Sequence, residues 1–363
     1  MITKANYPDD IPESRIELLE LIKEKLSEKK KERDILKIII LGGLDSGKTT
    51  LTAFLSKELL NLGYKVAILD CDVGQKSILP PATISLGILN EKFEELHNIK
   101  PYKSYFIGST TPIQFFGEMI VGIKRLCDLA EELGVEVVII DTTGLIFGSG
   151  FDLKRMKIEL INPNIIVGLE KEGELKPLLD LFKNKYKIVK LKVYDYAKSF
   201  SREERRKIRL EKWREYFKDS RSYEIKITIN LTGSKVFQGK EISEEEKYLM
   251  EALFKWKVFY GSKCEGKYTV VKRDLEEIPR KIDKNVLYYL EPEKFEDIIV
   301  GLIDERGFCI DIGILKEIDF ENKVLKIISP IDEELLKDVK EIRIGRLKIV
   351  EDGDEYLLDR DYL

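Results

Sequence analysis

The residues with the most explicit chemistry lie in Gly42–Thr49, which reads G-G-L-D-S-G-K-T and satisfies G-x-x-x-x-G-K-[ST]. The segment follows the apolar run LKIIIL and opens the helical pattern TTLTAFLSKEL. In that setting the loop amides and the helix N-terminus cradle phosphates, Lys48 reaches the β and γ phosphates, and the Thr49 hydroxyl ligates Mg²⁺. A glycine turn that merely packs does not account for Lys48 and Thr49 at the start of a helix. The expectation is a nucleotide site.

The next group is ILDCDVGQ, Ile68 to Gln75, at the end of a second apolar run. Ligands of open parallel sheets sit at the C-terminal strand ends, and two acids one residue apart point the same way on an extended chain. Asp70 and Asp72 are therefore expected to face the phosphates, one helping to hold Mg²⁺ and the other accepting a proton from an attacking hydroxyl. The bland alternative is an Asp-Cys-Asp turn shaped by Gly74. Asp141, which closes VEVVIID, competes for the metal role, and the sequence leaves the division between Asp70 and Asp141 open. After it, Gly144, Gly148 and Gly150 allow close approach to a base or phosphate, or simply loop freedom. In GSTTPIQ, Gly108 to Gln114, a helix is expected to start at Pro112, capped by Thr110 or Thr111, with Gln114 facing the site. Arg202, Arg205, Arg206 and Arg209 recur at helical spacing and are expected on one side of a helix, either as a salt-bridged surface or as a basic lid over the nucleotide.

Positioning these residues requires strands and helices in alternation. LKIIIL, KVAILD, SYFIG, VEVVIID, NIIVGLE and KIVKLKV alternate with helical stretches to about Val193. Continuous β-branched runs of this kind predict an α/β domain with a mostly parallel sheet flanked by helices. Ahead of it, Ile16, Leu19, Ile22 and Leu26 mark an amphipathic helix, giving a helical lead over residues 1–35. The run Lys29, Lys30, Lys31 and Arg33 reads as its solvated face. The phosphate-loop α/β region with its arginine-rich segment is assigned to 36–221, and alternating strands with Gly- and Asp-rich turns predict a mainly β domain over 222–363.

Composition narrows the class. The 363 residues carry 62 Lys+Arg against 66 Asp+Glu, so global charge does not point to nucleic acid and a polyanion must meet a local basic patch. Three glutamines beside abundant Lys and Glu suggest a thermophilic source. No apolar stretch is long enough to span a membrane, and no secretory leader is evident, so a cytoplasmic protein without membrane contact is expected. Four scattered cysteines indicate neither zinc nor a disulfide framework, and the one histidine, His97, reads as a surface residue.

Taken together, GGLDSGKTT, DCDVGQ, TTPIQ, DTTGLIFGSG and the arginine segment ending REYF resemble the polynucleotide 5′-hydroxyl kinases over about residues 36 to 220. That family includes the kinase subunit of the pre-mRNA cleavage complex, the nucleolar pre-rRNA-processing kinase and archaeal relatives. The resemblance implies a P-loop NTPase fold and transfer of the ATP γ-phosphate, with Mg²⁺, to the 5′-OH of RNA or DNA. It implies RNA-processing proteins as partners. The matching phosphate loop is Gly42, Gly43, Leu44, Asp45, Ser46, Gly47, Lys48, Thr49 and Thr50. Asp72 matches the group that activates the 5′-OH, and Asp70 with Thr49 is assigned to the metal. Gln75, Thr111 and Gln114 match the grip on the substrate strand, and Arg202, Arg205, Arg206 and Arg209 span the lid arginines. Two positions depart from the pattern. Leu145 stands where relatives often carry a base-stacking Trp, leaving Phe147 or Phe151 for that role, and Phe200 stands where an Arg is common. A silent ATP-binding scaffold is the alternative. A sensor ATPase or G protein is disfavoured by Gly43 and by NKYK, which lacks the Asp of a guanine motif.

Overall fold

A computed structural model describes residues 11–29, 35–91, 93–194, 199–276, 281–350, 354–359 and 362–363. The chain divides into two compact units, Met1–Tyr216 and Phe217–Leu363. The first runs α1 (Glu13–Lys29), β1 (Leu36–Gly42), α2 (Lys48–Asn61), β2 (Val66–Asp70), β3 (Thr83–Ile88), β4 (Lys103–Phe106), α3 (Phe116–Glu132), β5 (Val137–Asp141), α4 (Ser149–Ile161), β6 (Ile165–Glu170), α5 (Lys176–Asp180), β7 (Lys187–Lys192) and α6 (Arg202–Phe217). Its sheet has the order β4–β3–β2–β5–β1–β6–β7. Strands β2, β5, β1, β6 and β7 are mutually parallel.

The parallel strands are the β-branched runs, buried on both faces because helices cover each side. Their register aligns Ile40 of β1 and Asp70 of β2 with Asp141 of β5, so the phosphate loop and both acids leave the sheet at one edge. Strand β3 has no counterpart among the expected runs. It pairs antiparallel with β2 and β4 and contains Thr83 and Ser85, whose buried hydroxyls satisfy one another and Ser104 at 3.2 and 3.1 Å. Internally paired hydroxyls make a core strand that does not read as apolar.

Helix α1 does not stand apart as a lead. Leu18, Leu19, Ile22 and Leu26 enter the same core as Leu36, Ile38 and Ile40 of β1 and Leu51, Phe54 and Leu55 of α2. The basic run Lys29, Lys30, Lys31 and Arg33 lies outside the residues whose side chains are described. His97 sits in a short 3₁₀ turn with its Nδ1 3.1 Å from a Glu95 carboxylate oxygen.

The second unit contains β8 (Arg221–Lys226), β9 (Asn230–Thr232), β10 (Lys240–Glu241), α7 (Glu244–Phe254), β11 (Trp256–Cys264), β12 (Lys267–Asp274), β13 (Leu287–Leu290), β14 (Ile298–Ile303), β15 (Cys309–Asp319), β16 (Val324–Ser329), β17 (Glu341–Ile349) and β18 (Glu355–Leu357). Antiparallel neighbours β18–β17–β14–β15–β16–β8, with β9 parallel to β17, enclose Val300, Leu302, Leu315, Ile327 and Ile342. A four-stranded sheet, β10–β11–β12–β13, builds a smaller core around Trp256. Helix α7 starts with a capping box, Ser243 with Glu246.

Because Ile22 is fully buried in the core shared with β1 and α2, Ile22→Ala is expected to destabilise the first unit by about 2–5 kcal/mol. Denaturant unfolding monitored in that unit checks this. An unchanged midpoint would mean that α1 is an appendage.

Candidate active site

The phosphate loop joins β1 to α2 through backbone that is left-handed at Asp45 (φ 55°) and Gly47 (φ 84°), the latter the N-cap of α2. Ser46 Oγ donates to Gly43 O at 3.0 Å and Lys48 Nζ donates to the same carbonyl at 2.6 Å. Lys48 is buried, and burial lowers its pKa against the opposing pull of Asp141, Asp72 and Asp45. The DTTG turn after β5 closes on this loop. A Cβ on Gly144 would stand 2.8 Å from both N and Cα of Leu44, so that glycine serves the approach of the two loops.

The two rival acids differ in what their oxygens do. Asp70 is fully engaged: Oδ1 accepts from Asp72 N at 3.1 Å, and Oδ2 accepts from Ser77 N and Ile78 N at 2.7 and 2.9 Å. Lys76 Nζ lies 3.4 Å from Asp70 Oδ2 and donates to Asp70 O at 2.8 Å. Asp141 accepts the Thr49 hydroxyl on Oδ2 at 2.8 Å, while its buried Oδ1 has no hydrogen-bond partner among the described residues. The expectation that Asp70 holds the metal thus meets a carboxylate already consumed by loop amides, and the oxygen left over beside Thr49 belongs to Asp141.

Asp72 Oδ1 accepts from Gly74 N and Gln75 N at 3.0 and 2.9 Å, the Asx turn of the bland reading, and Oδ2 carries no hydrogen bond among the described residues. A Cβ on Gly74 would come within 2.8 Å of Thr110 O, so the acid loop and the T-T-P-I-Q loop touch through that glycine. The helix expected at Pro112 begins instead at Phe116. Thr111 Oγ1 accepts from Ile113 N at 3.3 Å, Phe115 N donates to Pro112 O, and Gln114 adopts φ 74°, which no helical residue can hold. Thr111 and Gln114 therefore sit on a turn with Gln114 exposed.

Helix α6 also differs from expectation. The four arginines do not share one side. Arg205 and Arg209 lie half-buried on a stripe with Ile208, Lys212 and Trp213, while Arg202 and Arg206 are exposed. Arg205 Nη2 reaches Asp45 Oδ2 at 2.5 Å, and Phe200 N donates to the same oxygen at 3.1 Å. Gln75 Nε2 donates to Arg205 O at 3.4 Å, joining the acid loop to this helix.

Residues 42–219 match the family described as mRNA cleavage and polyadenylation factor CLP1 P-loop. A polyribonucleotide 5′-hydroxyl kinase of Methanocaldococcus jannaschii is 62% identical across 99% of this chain and 98% of its own. The chain belongs to the polyribonucleotide 5′-hydroxyl kinase family. A family member from Pyrococcus abyssi is 47% identical over 99% of both chains. The fold is also that of a solved Clp1p–Pcf11p complex, with TM-score 0.58 at 14% identity, covering 92% of this chain and 79% of that one.

In this member of the kinase family, four buried lysines that the sequence reading passed over surround the acids. Besides Lys76, Lys154 donates to Thr142 Oγ1 at 2.8 Å and to Thr143 O, tying α4 to the DTTG turn. Lys157 is buried with no hydrogen-bond partner for Nζ among the described residues, and Lys212 of α6 donates to Lys76 O. Burial lowers the pKa of all four. Their signal was available: Lys154 and Lys157 fall on the apolar stripe Leu153, Ile158, Ile161, and Lys212 falls beside Ile208 and Trp213. A lysine on an apolar stripe is a buried charge in search of a partner.

Burial, reinforced by Asp70, pushes the Asp141 carboxyl up to about 7 against the pull of Lys48 and the Thr49 hydroxyl. Between the ordinary carboxylate range and that value the folded chain holds the extra proton, so this group lowers stability as pH rises through the window, at up to about 1.4 kcal/mol per pH unit. Asp141→Asn is expected to raise the Tm of the nucleotide-free protein near pH 7 while leaving it little changed near pH 4. A Tm difference independent of pH would count against a buried, proton-linked Asp141.

Proposed function

We infer that the chain is a polyribonucleotide 5′-hydroxyl kinase, transferring the γ-phosphate of ATP to the 5′-OH of RNA. The observation that carries this is the convergence, on one sheet edge, of a phosphate loop, an Asp–Thr pair with a spare oxygen and an oriented Asp72, in a chain so similar to kinases of that name. The loop amides and Lys48 would hold the β and γ phosphates, with Lys48 exchanging Gly43 O for a phosphate oxygen. The hard oxygen set of Thr49 and Asp141, with Asp141 Oδ1 lacking a protein partner, fits Mg²⁺ better than Asp70 does. When bound, Mg²⁺ supplies neutralisation of the phosphate oxygens.

Asp72 is the proton acceptor. Its Oδ1 is pinned by two amides, which fixes the carboxylate and leaves Oδ2 to take the proton as the 5′-oxygen forms its bond to phosphorus and ADP departs. Gln75, Thr111 and Gln114 hold the strand in this reading, which the contact of their two loops at Gly74 supports. Phe147, 68% exposed after the DTTG turn, is the aromatic offered to the terminal base where Leu145 is not. Arg205 and Arg209, which share the inner stripe of α6, are the cations for the transferring group.

The decisive assay follows labelled γ-phosphate onto 5′-OH RNA, with matched DNA alongside. Lys48→Ala and Asp72→Asn are each expected to lower the rate by at least about 10²-fold, and Phe147→Ala to raise the KM for RNA with kcat nearly unchanged. Wild-type protein that binds ATP without phosphorylating RNA would instead make the chain a scaffold.

A further inference from the structure

We infer that Lys212 is a positioning residue for phosphoryl transfer, holding the Asp72-bearing loop in register with the helix that carries Arg205. The inference deepens the kinase reading and rests on it.

Helix α6 touches the site at two levels. Arg205 meets Asp45 of the phosphate loop, and Lys212, on the same stripe, donates to Lys76 O of the acid loop. Seven residues of helix place these two cations two turns, about 10 Å, apart along the axis. The helix is a strut with one end on the nucleotide loop and the other on the acceptor loop.

What lies behind Lys76 makes the second contact consequential. Lys76 Nζ is bound to Asp70 O and faces Asp70 Oδ2. The Asp70 carboxylate in turn binds the amides of Asp72, Ser77 and Ile78, and the Asp72 carboxylate binds those of Gly74 and Gln75. Residues 70–78 are one hydrogen-bonded knot, so a tether at Lys76 O acts on the position of Asp72. Gln75, donating to Arg205 O, is a second thread between the same two parts.

The physical case for position over stability is the chemistry of Lys212 itself. It is a buried ammonium whose one described hydrogen bond is to a neutral carbonyl; the charges of Asp70 and Asp72 favour it, and those of Lys76 and Arg209 oppose it. Burial depresses its pKa, and a same-sized apolar side chain next to Ile208 and Trp213 would serve packing as well or better. The retained charge makes sense if the directed bond to Lys76 O is what matters.

The test compares Lys212→Met, which keeps stem length and loses the donor, with Lys212→Arg, which keeps a donor. Steady-state kinetics with ATP and 5′-OH RNA, thermal unfolding, and amide hydrogen exchange over 72–78 are measured in the full chain. For the Met variant we expect kcat to fall at least tenfold, the KM for ATP to stay within twofold, Tm to hold or rise, and the 72–78 amides to exchange faster; the Arg variant should regain most of kcat. The inference is overturned if the Met variant keeps kcat within twofold, if its KM for ATP rises in proportion to the lost kcat, if it unfolds at assay temperature, or if Arg does no better than Met. Should the wild-type chain not phosphorylate RNA, the kinase reading falls, and unchanged exchange over 72–78 would then overturn the inference separately.

Discussion

Two carboxylates side by side at the end of a buried parallel sheet are the constraint around which the first unit is organised. The β2–β5 register places Asp70 directly opposite Asp141, both nearly inaccessible. Buried anions at that separation raise one another's energy and must each find compensation. They find it differently. Asp70 is satisfied entirely within its own loop, by three amides and Lys76, which turns the loop after β2 into a rigid knot. Asp141 is satisfied by half, through the Thr49 hydroxyl, and its remaining buried oxygen has no hydrogen-bond partner among the described residues. In the proposed kinase, that asymmetry is what gives the metal role to Asp141 and leaves Asp70 to brace its loop.

The buried lysines follow from the same constraint. Lys48, Lys76, Lys154, Lys157 and Lys212 come from the phosphate loop, the acid loop, α4 and α6, and the charge of Asp70, Asp72 or Asp141 favours the ammonium form of each against its burial. Their hydrogen bonds to backbone carbonyls and a threonine hydroxyl, from Lys154 to the DTTG turn and from Lys212 to the acid loop, link separate elements in three dimensions. Helix α6 shows the effect most plainly: Arg205 holds the phosphate loop and Lys212 the acid loop, so nucleotide and acceptor sides are joined by one helix. The arginine-rich segment is thus part of the frame, and in the proposed kinase it is also the source of positive charge for phosphate.

Much of this was legible in the sequence, for identifiable reasons. The phosphate loop is local: its residues are contiguous, and its geometry follows from Gly47 and the strand and helix that flank it. The parallel strands are legible because burial on both faces requires uninterrupted apolar runs. Strand β3 escaped because its buried hydroxyls pair with each other and imitate an exposed segment. The start of α3 was misplaced because Pro112 and Thr111, good signals for a helix start, also build the turn that puts Gln114 at φ 74°. The arginines looked equivalent because spacing alone does not say which stripe of a helix faces inward, and Ile208 with Trp213 decides that for Arg205 and Arg209.

By itself, the sequence pointed to a nucleotide as the ligand and singled out the candidate reacting groups, since a glycine-rich loop with Lys48 and Thr49, and an Asp72 in D-x-D-x-G-Q, are chemistries written in neighbouring residues. Only the tertiary structure decided which acid keeps an unpaired oxygen, which arginines share the inner stripe of α6 and why lysines sit on apolar stripes. Those depend on strand register and on which helix face meets which loop. Asp70 and Asp141 are 71 positions apart in the chain and equally acidic on paper. They part company only when backbone amides close on one of them and leave an oxygen of the other bare.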